Sequence, residues 1–166
     1  MKIIENYKAK IQSYSPLRYI FESSFLAILG KSILAIFILT YLLISKSKIN
    51  VSNLPKPDFL KKSKTIYLFF KLCVFAPAVE TIIAQWLPIT ILNKMISNAL
   101  IIIWLDALLF SLAHWPTYGF IRMLTVLPVG LILAWSFFSN RESFFRAFYL
   151  TASIHSLCNI FLYLLN

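Results

Sequence analysis

The chain has 166 residues, of which 60% are apolar and 13% charged, and its formal net charge is +10. A soluble domain has about 45–50% apolar and about 25% charged residues, and a globule of this size lacks the interior volume to bury fifteen Phe side chains with all the other apolar ones. The composition therefore excludes a soluble enzyme, a disordered regulator and a secreted module held by disulfides. An all-α, polytopic membrane bundle remains.

Five apolar stretches are long enough to cross a membrane, because a spanning helix needs about 20 mostly apolar residues. The first stretch ends in lysine-rich sequence without a small-residue cleavage site, so we expect a retained anchor and not a signal peptide. The predicted helices cover residues 19–44, 66–92, 99–117, 120–138 and 143–165.

The connectors predict how these helices pack. Residues 45–65 are the one connector long enough to be a real loop, and the other three are tight. Short connections make consecutive helices antiparallel neighbours, so helices two to five are expected to form a four-helix unit. We interpret residues 1–166 as one membrane domain, with an anchor helix and basic loop over 1–65 and the core over 66–165. The first helix, on its long tether, is expected to be an accessory.

Positive charge lies mostly between the apolar stretches, in residues 1–18, 45–64 and 141–146. Basic residues at these places usually meet anionic lipid head groups. We therefore predict a multi-pass protein of the cell membrane whose partners include membrane lipids and no nucleic acid. The cations are shared equally between the two sides, so charge does not fix the orientation.

Several ionisable residues fall inside the predicted spans, where each costs about a few kcal/mol and usually faces the protein interior. Glu22 lies near a helix end, and the long side chains of Lys31 and Lys71 can reach toward the head groups. We interpret these three residues as structural or incidental.

Asp106 is harder to explain in this way. It shares a helix face with Phe110 and His114, at positions i, i+4 and i+8. We expect Asp106 to point inward and to form a hydrogen bond with Gln85 or with a hydroxyl group.

Four other polar residues can converge on one cavity. Glu80 lies in the middle of the second helix, beside a break expected at Pro77, and His114 lies near the end of the third. His155 and Asn159 are one turn apart in the fifth helix and so share a face. Because consecutive helices run antiparallel, these groups lie at similar depth in the membrane.

This set of groups suits the attack of water on an amide carbonyl. A Glu beside a His can hold and deprotonate water, and a His and an Asn one turn apart can donate hydrogen bonds to a developing oxyanion. Alternatively, Glu80, His114 and His155 bind Zn²⁺ and leave one position for water. The spacing does not choose between the two, because no two of the three residues share a helix.

Other hydrolase chemistries lack their residues. The sequence has no Gly-x-Ser-Gly for a serine nucleophile and no His-Glu-x-x-His for zinc. Asp106 is the only Asp in a predicted span, so an aspartyl pair is missing. Cys73 and Cys158 lie in apolar stretches and are interpreted as small buried residues, not as thiol nucleophiles.

Three short motifs carry a family resemblance: Ala76-Pro77-Ala78-Val79-Glu80-Thr81, Phe110-Ser111-Leu112-Ala113-His114 and His155-Ser156-Leu157-Cys158-Asn159. In order and in placement on helices they resemble the motifs of the CPBP family. This family, also called Abi, comprises CAAX-protease and bacteriocin-processing membrane proteins. Its pattern is Glu-Glu-x-x-x-Arg preceded by Ala-Pro, then Phe-x-x-x-His, then His-x-x-x-Asn. The resemblance covers about residues 66–165.

The resemblance implies an intramembrane endopeptidase that cleaves a small peptide or a membrane-associated substrate. It implies that Glu80 and His114 activate water and that His155 and Asn159 form the oxyanion hole. We favour glutamate-dependent chemistry without a cofactor, with zinc as the alternative. The residues expected to support this site from behind are Thr81, Gln85, Asp106 and Phe110.

The first motif departs from the family pattern. Thr81 stands in place of the second Glu, and Gln85 stands in place of the Arg. A neutral pair can replace a charged pair without harm to the fold. The alternative hypothesis is an inactive family member that binds a peptide or acts as a bacteriocin-immunity factor. A proton-coupled transporter that uses Glu80 and Asp106 is a third.

Overall fold

The computed structural model describes residues 15–44 and 66–165, and these form helices without strands. The all-α bundle predicted from the composition is confirmed. The N-terminal segment 1–14, which contains several lysines, and the predicted loop at 45–65 lie outside the described residues. The helices are α1 (Pro16–Ile44), α2 (Ile66–Met95), α3 (Ala99–Ala113), α4 (Trp115–Asn140) and α5 (Phe144–Leu165).

Helices α1, α2, α4 and α5 are long and apolar enough to cross a membrane. Helix α3 has 15 residues, so at 1.5 Å per residue it is about 22 Å long, whereas the hydrocarbon core is about 30 Å thick. The prediction of a span over 99–117 is therefore too long. The helix ends at Ala113, where the N–H of His114 bonds back to the carbonyl of Ser111 instead of continuing the α-helical pattern. Pro116 follows, and the chain turns at Gly119, whose φ of 77° suits glycine.

Helix α2 continues through both of its prolines. A wide π turn precedes each of them, Lys71–Phe75 before Pro77 and Ile82–Trp86 before Pro88. A proline ring clashes with the carbonyl four residues earlier, and in both cases that carbonyl lies within the wide turn, where the looser winding makes room. The prediction of a break at Pro77 is therefore wrong. Glu80 lies between the two wide turns.

Helix α1 packs against α4 and α5 and belongs to the bundle. Tyr19, Ile20 and Ala27 are buried in one core with residues of α3, α4 and α5. At Gly30 a Cβ would lie 3.0 Å from Cβ of Pro128, so the glycine allows α1 and α4 to approach closely, and a larger residue would need Pro128 to shift by a few tenths of an ångström. This packing differs from the accessory role that the long connector suggested.

Helices α2 to α5 pack as consecutive neighbours, as their short connectors predicted. At one end of the bundle, which we call the closed end, they enclose an apolar core. At the opposite end, the open end, α2 and α4 begin and α5 finishes. The core of the closed end consists of Ile89, Ile102, Ile103, Ala107, Ala134, Phe137, Phe138 and Ala147.

Candidate active site

A cavity of about 270 Å³ lies at the open end, and all five helices contribute to its wall. The four residues expected to converge all line it, although they come from three helices. Phe110 lines it as well. These residues are Glu80 from α2, Phe110 and His114 from the end of α3, and His155 and Asn159 from α5.

Glu80 and His155 face each other across the cavity wall. Oε2 of Glu80 lies 3.5 Å from Nε2 of His155, and the two side chains are 39% and 5% exposed. The other ring nitrogen of His155, Nδ1, is buried and has no hydrogen-bond partner among the described residues. A ring proton on Nε2 has an acceptor in Glu80, whereas one on Nδ1 would have none, so the geometry favours the Nε2–H tautomer.

The ring of His114 is held in a defined orientation. Its Nδ1 lies 2.8 Å from the carbonyl oxygen of Phe110, one turn earlier in α3. A carbonyl oxygen only accepts, so Nδ1 carries the proton and, in the neutral ring, Nε2 is an acceptor. The Phe110 ring lies against both imidazoles, with centroids 4.8 Å from His114 and 5.6 Å from His155. Phe110 therefore orients both histidines.

Asn159 links α5 to α2. Its Nδ2 donates a hydrogen bond of 2.9 Å to the backbone carbonyl of Leu72, which lies in the first wide turn of α2. An amide nitrogen has two protons, so this bond fixes the side chain and leaves the second N–H as a donor. The wide turn thus supplies the carbonyl that orients Asn159.

Two cations in the cavity wall are absent from the predicted site. Lys31 projects from α1, and Arg122 lies at the start of α4, just after the turn at Gly119. Lys31 was interpreted as reaching the head groups. It lies 13 residues or more from either end of α1, which is about 20 Å along the axis and beyond the length of its side chain. That central position in a span was the signal that could have identified it.

The described residues contain no group of three or more His, Cys, Asp or Glu side chains arranged to hold a metal ion. The zinc alternative required Glu80, His114 and His155 to act as such a group. The hydrogen bond from Nδ1 of His114 to the Phe110 carbonyl leaves Nε2 free either to accept from water or to bind a metal. Zinc therefore stays the alternative, and no step of the chemistry below passes through a metal.

Comparison with known protein families shows the family to which the chain belongs. A family model described as Type II CAAX prenyl endopeptidase Rce1-like matches residues 62–161, which is more than half of the chain. The chain belongs to this family. The family is part of the CPBP group, as the three motifs indicated. Neither the curated proteins nor the solved structures contain a match to the chain.

In this Rce1-like chain, Thr81 and Gln85 lie behind the site and do not line the cavity. Both are fully buried. Oγ1 of Thr81 donates a hydrogen bond of 2.7 Å to the carbonyl of Pro77, so the hydroxyl is satisfied within its own helix. The side-chain oxygen and nitrogen of Gln85 have no hydrogen-bond partner among the described residues.

Asp106 points inward, as its helix face predicted, and its side chain is fully buried. It does not line the cavity. The expected hydrogen bond to Gln85 or to a hydroxyl is not formed, because neither carboxylate oxygen has a partner within the described residues. Asp106 and Gln85 are therefore buried polar groups that ordinary packing does not explain.

Proposed function

We propose that this Rce1-like protein is an intramembrane endopeptidase of the cell membrane that hydrolyses a peptide bond with a water molecule held by Glu80 and His114. The observation that carries the proposal is the shared cavity. A carboxylate, two imidazoles and an amide from three helices line a single space of about 270 Å³.

In the proposed reaction, the Glu80 carboxylate accepts a proton from water while Nε2 of His114 accepts a hydrogen bond from it. The water oxygen forms a bond to the carbonyl carbon, and the carbonyl oxygen becomes an oxyanion. The Nε2–H of His155 and the second N–H of Asn159 donate to that oxyanion. The C–N bond then breaks, and the leaving amine takes the proton from Glu80.

The contacts described above support these roles. The hydrogen bond to Phe110 makes Nε2 of His114 an acceptor, and the contact with Glu80 favours a proton on Nε2 of His155. Glu80 is 3.5 Å from that nitrogen, which is longer than a hydrogen bond of about 2.7–3.2 Å. Catalytic hydrogen bonds are often longer before substrate binds.

The cavity also suggests the kind of substrate. It lies at the end of the bundle where α2 and α4 begin, and we propose that a small peptide or a membrane-associated segment enters it there. Its volume is below the range of about 300–1,000 Å³ that is usual for ligand pockets. A short stretch of extended peptide therefore suits it better than a folded domain.

A digestion screen tests the proposal. The purified protein, reconstituted in phosphatidylcholine vesicles, is incubated with a pool of membrane-soluble peptides, and the products are analysed by mass spectrometry. We expect defined cleavage sites with the wild type and none with Glu80→Gln. Equal product patterns from the two proteins would refute the proposal.

Metal dependence is tested in the same assay. Because the chemistry proposed here needs no metal, treatment with EDTA or 1,10-phenanthroline is expected to leave the cleavage rate unchanged. Loss of cleavage that is restored by added Zn²⁺ would instead support the zinc alternative.

The second candidate function is a peptide-binding or bacteriocin-immunity protein without catalysis. The observation that favours it is Gln85, which is buried with no hydrogen-bond partner among the described residues, at the position where the family pattern has Arg. For this function, the wild type and Glu80→Gln would both retain peptides from the pool, and neither would produce fragments.

A further inference from the structure

Three polar groups behind the cavity are buried and have no hydrogen-bond partner among the described residues. They are Nδ1 of His155, both carboxyl oxygens of Asp106 and the side-chain amide of Gln85. These residues are 4%, 0% and 1% exposed. Buried polar groups are almost always bonded to protein or to ordered water, and leaving one of them unpaired is costly. Three such groups together point to a small polar molecule as their common partner.

The three residues lie at neighbouring levels on the inner faces of three helices. Phe110 follows Asp106 by one turn, about 6 Å, on the same face of α3, and its ring contacts the ring of His155. Gln85 follows Glu80 by five residues in α2, and Glu80 contacts Nε2 of His155. Because α2 runs toward the closed end and α3 runs away from it, Asp106 and Gln85 each lie about one turn deeper than a residue that contacts His155.

We propose that Asp106 and Gln85 hold a buried water molecule against Nδ1 of His155, and that Asp106 is thereby a positioning residue for the oxyanion hole. This inference rests on the proposed function and deepens it. A buried water needs about two to four polar partners, and the three groups supply that number. The water donates one proton to Nδ1 and the other to a carboxyl oxygen of Asp106, and it accepts a hydrogen bond from the amide N–H of Gln85.

The bound water holds the ring of His155 in one tautomer. A ring nitrogen that accepts from water carries no proton, so the proton of the neutral ring lies on Nε2. This is the nitrogen that faces Glu80 and that donates to the oxyanion in the proposed reaction. The cavity side and the buried side of the ring therefore favour the same tautomer. Asp106 does not line the cavity, so its effect on the reaction passes through His155.

The test observes the imidazole directly and does not depend on cleavage. The chain contains two histidines, so protein labelled with ¹⁵N-histidine and reconstituted in phosphatidylcholine vesicles gives two sets of ring signals in solid-state NMR, and His114→Ala assigns them. For His155 in the wild type we expect a proton on Nε2. For its Nδ1 we expect the chemical shift of a hydrogen-bonded acceptor, together with magnetisation transfer from water.

Variants of Asp106 assign these two signatures of Nδ1. Asp106→Leu removes a partner of the water and should abolish both signatures. Asp106→Asn keeps an oxygen that accepts from water and should keep both. In the cleavage assay, kcat of Asp106→Leu should fall by no more than the about 10²- to 10³-fold that loss of an oxyanion donor costs, with KM unchanged.

Thr151→Val is the matched control. It removes a buried hydroxyl group one turn before His155 in the same helix, where Oγ1 of Thr151 donates to Oγ of Ser136. The signals of His155 should stay unchanged in this variant. If Asp106→Leu does not fold, Gln85→Leu takes its place, because it removes another partner of the same water.

The proposal is overturned by a proton on Nδ1 in the wild type, by the absence of transfer from water to Nδ1, or by unchanged His155 signals in the folded leucine variant. An equal loss of both signatures in Thr151→Val also overturns it, because the ring would then respond to any change in packing. If the wild type cleaves no peptide but the signatures depend on Asp106, the hydrolase function fails while the positioning of His155 remains.

Discussion

The two ends of the bundle are built from the same helices α2 to α5 but are filled differently. The closed end is filled mainly with apolar side chains such as Ile102 and Phe137, and the buried polar side chains beside them, Ser136, Asn140 and Thr151, are bonded to one another or to the backbone. The open end contains a cavity with two histidines, a carboxylate and two cations in its wall. In a chain that is 60% apolar, apolar packing is the default, so polar departures from it indicate where function lies. The closed end holds the helices together while the other end stays open.

Removal of His114 at the open end is expected to have the largest effect among the variants that follow. Loss of a positioned acid–base group lowers a rate by about 10²- to 10⁴-fold, and we expect His114→Ala to reduce the cleavage rate within that range. The thermal midpoint should change little, because the ring is only half-buried and its hydrogen bond to Phe110 is local. The neighbouring exposed residue Leu112 is the control, and Leu112→Ala should cleave normally. Normal cleavage by His114→Ala would break the assignment.

Asn159→Ala removes a donor from the proposed oxyanion hole. A lost oxyanion donor costs about 10²- to 10³-fold in rate, and the change should appear in kcat more than in KM. The hydrogen bond to the Leu72 carbonyl is also lost, which lowers stability by about 0.5–1.5 kcal/mol. Thermal unfolding in detergent separates the two effects. A variant whose KM alone changes would indicate a binding role for Asn159.

Phe137→Ala at the closed end should show the opposite pattern. Phe137 is buried in the apolar core, and truncation of a buried Phe costs about 3–5 kcal/mol. The free energy of unfolding should fall by that amount, while the activity of each folded molecule stays close to the wild-type value. An unchanged free energy of unfolding for Phe137→Ala, or a loss of kcat in the folded variant, would contradict the separate roles given to the two ends.

Gly130→Ala sharpens the comparison because Gly130 lies between the two ends. A Cβ there would lie 3.0 Å from the carbonyl oxygen of Ala107 and 3.1 Å from Cδ1 of Phe110. Overpacking of this kind costs about 1–3 kcal/mol. Because the Phe110 ring touches both histidines, we expect a smaller loss of activity than in His114→Ala. An unchanged thermal midpoint together with an unchanged cleavage rate would show that Ala107 and Phe110 shift without cost to make room for the added Cβ.

The sequence predicted the open end well where helical periodicity decides the outcome. Asp106 and Phe110 share one buried face, and His155 and Asn159, one turn apart, line the same cavity. The order of motifs along consecutive antiparallel helices was enough to place Glu80 at similar depth. These relations depend on the spacing of residues within helices and on the length of the connectors, and both can be read from a sequence.

The remaining features depend on contacts that spacing does not determine. The approach of α1 to α4 at Gly30 is a tertiary fit, so the packing of α1 into the bundle could not be predicted, although the central position of Lys31 in its span was a signal for an inward-facing cation. The path of α2 through Pro77 depends on the wide turn at Lys71–Phe75, which the composition of that segment does not predict. That neither carboxylate oxygen of Asp106 has a hydrogen-bond partner among the described residues is likewise a property of the packed structure.

The central claim is that Glu80 works on water in the shared cavity, and a paired measurement of peptide cleavage tests it most directly. Glu80→Gln keeps the size of the side chain and removes its charge. Glu22→Gln makes the same change at an exposed carboxylate that pairs with Arg18 and does not line the cavity. With thermal midpoints matched, the account predicts no detectable cleavage by Glu80→Gln and a wild-type rate for Glu22→Gln. Cleavage at the wild-type rate by a folded Glu80→Gln protein would contradict it.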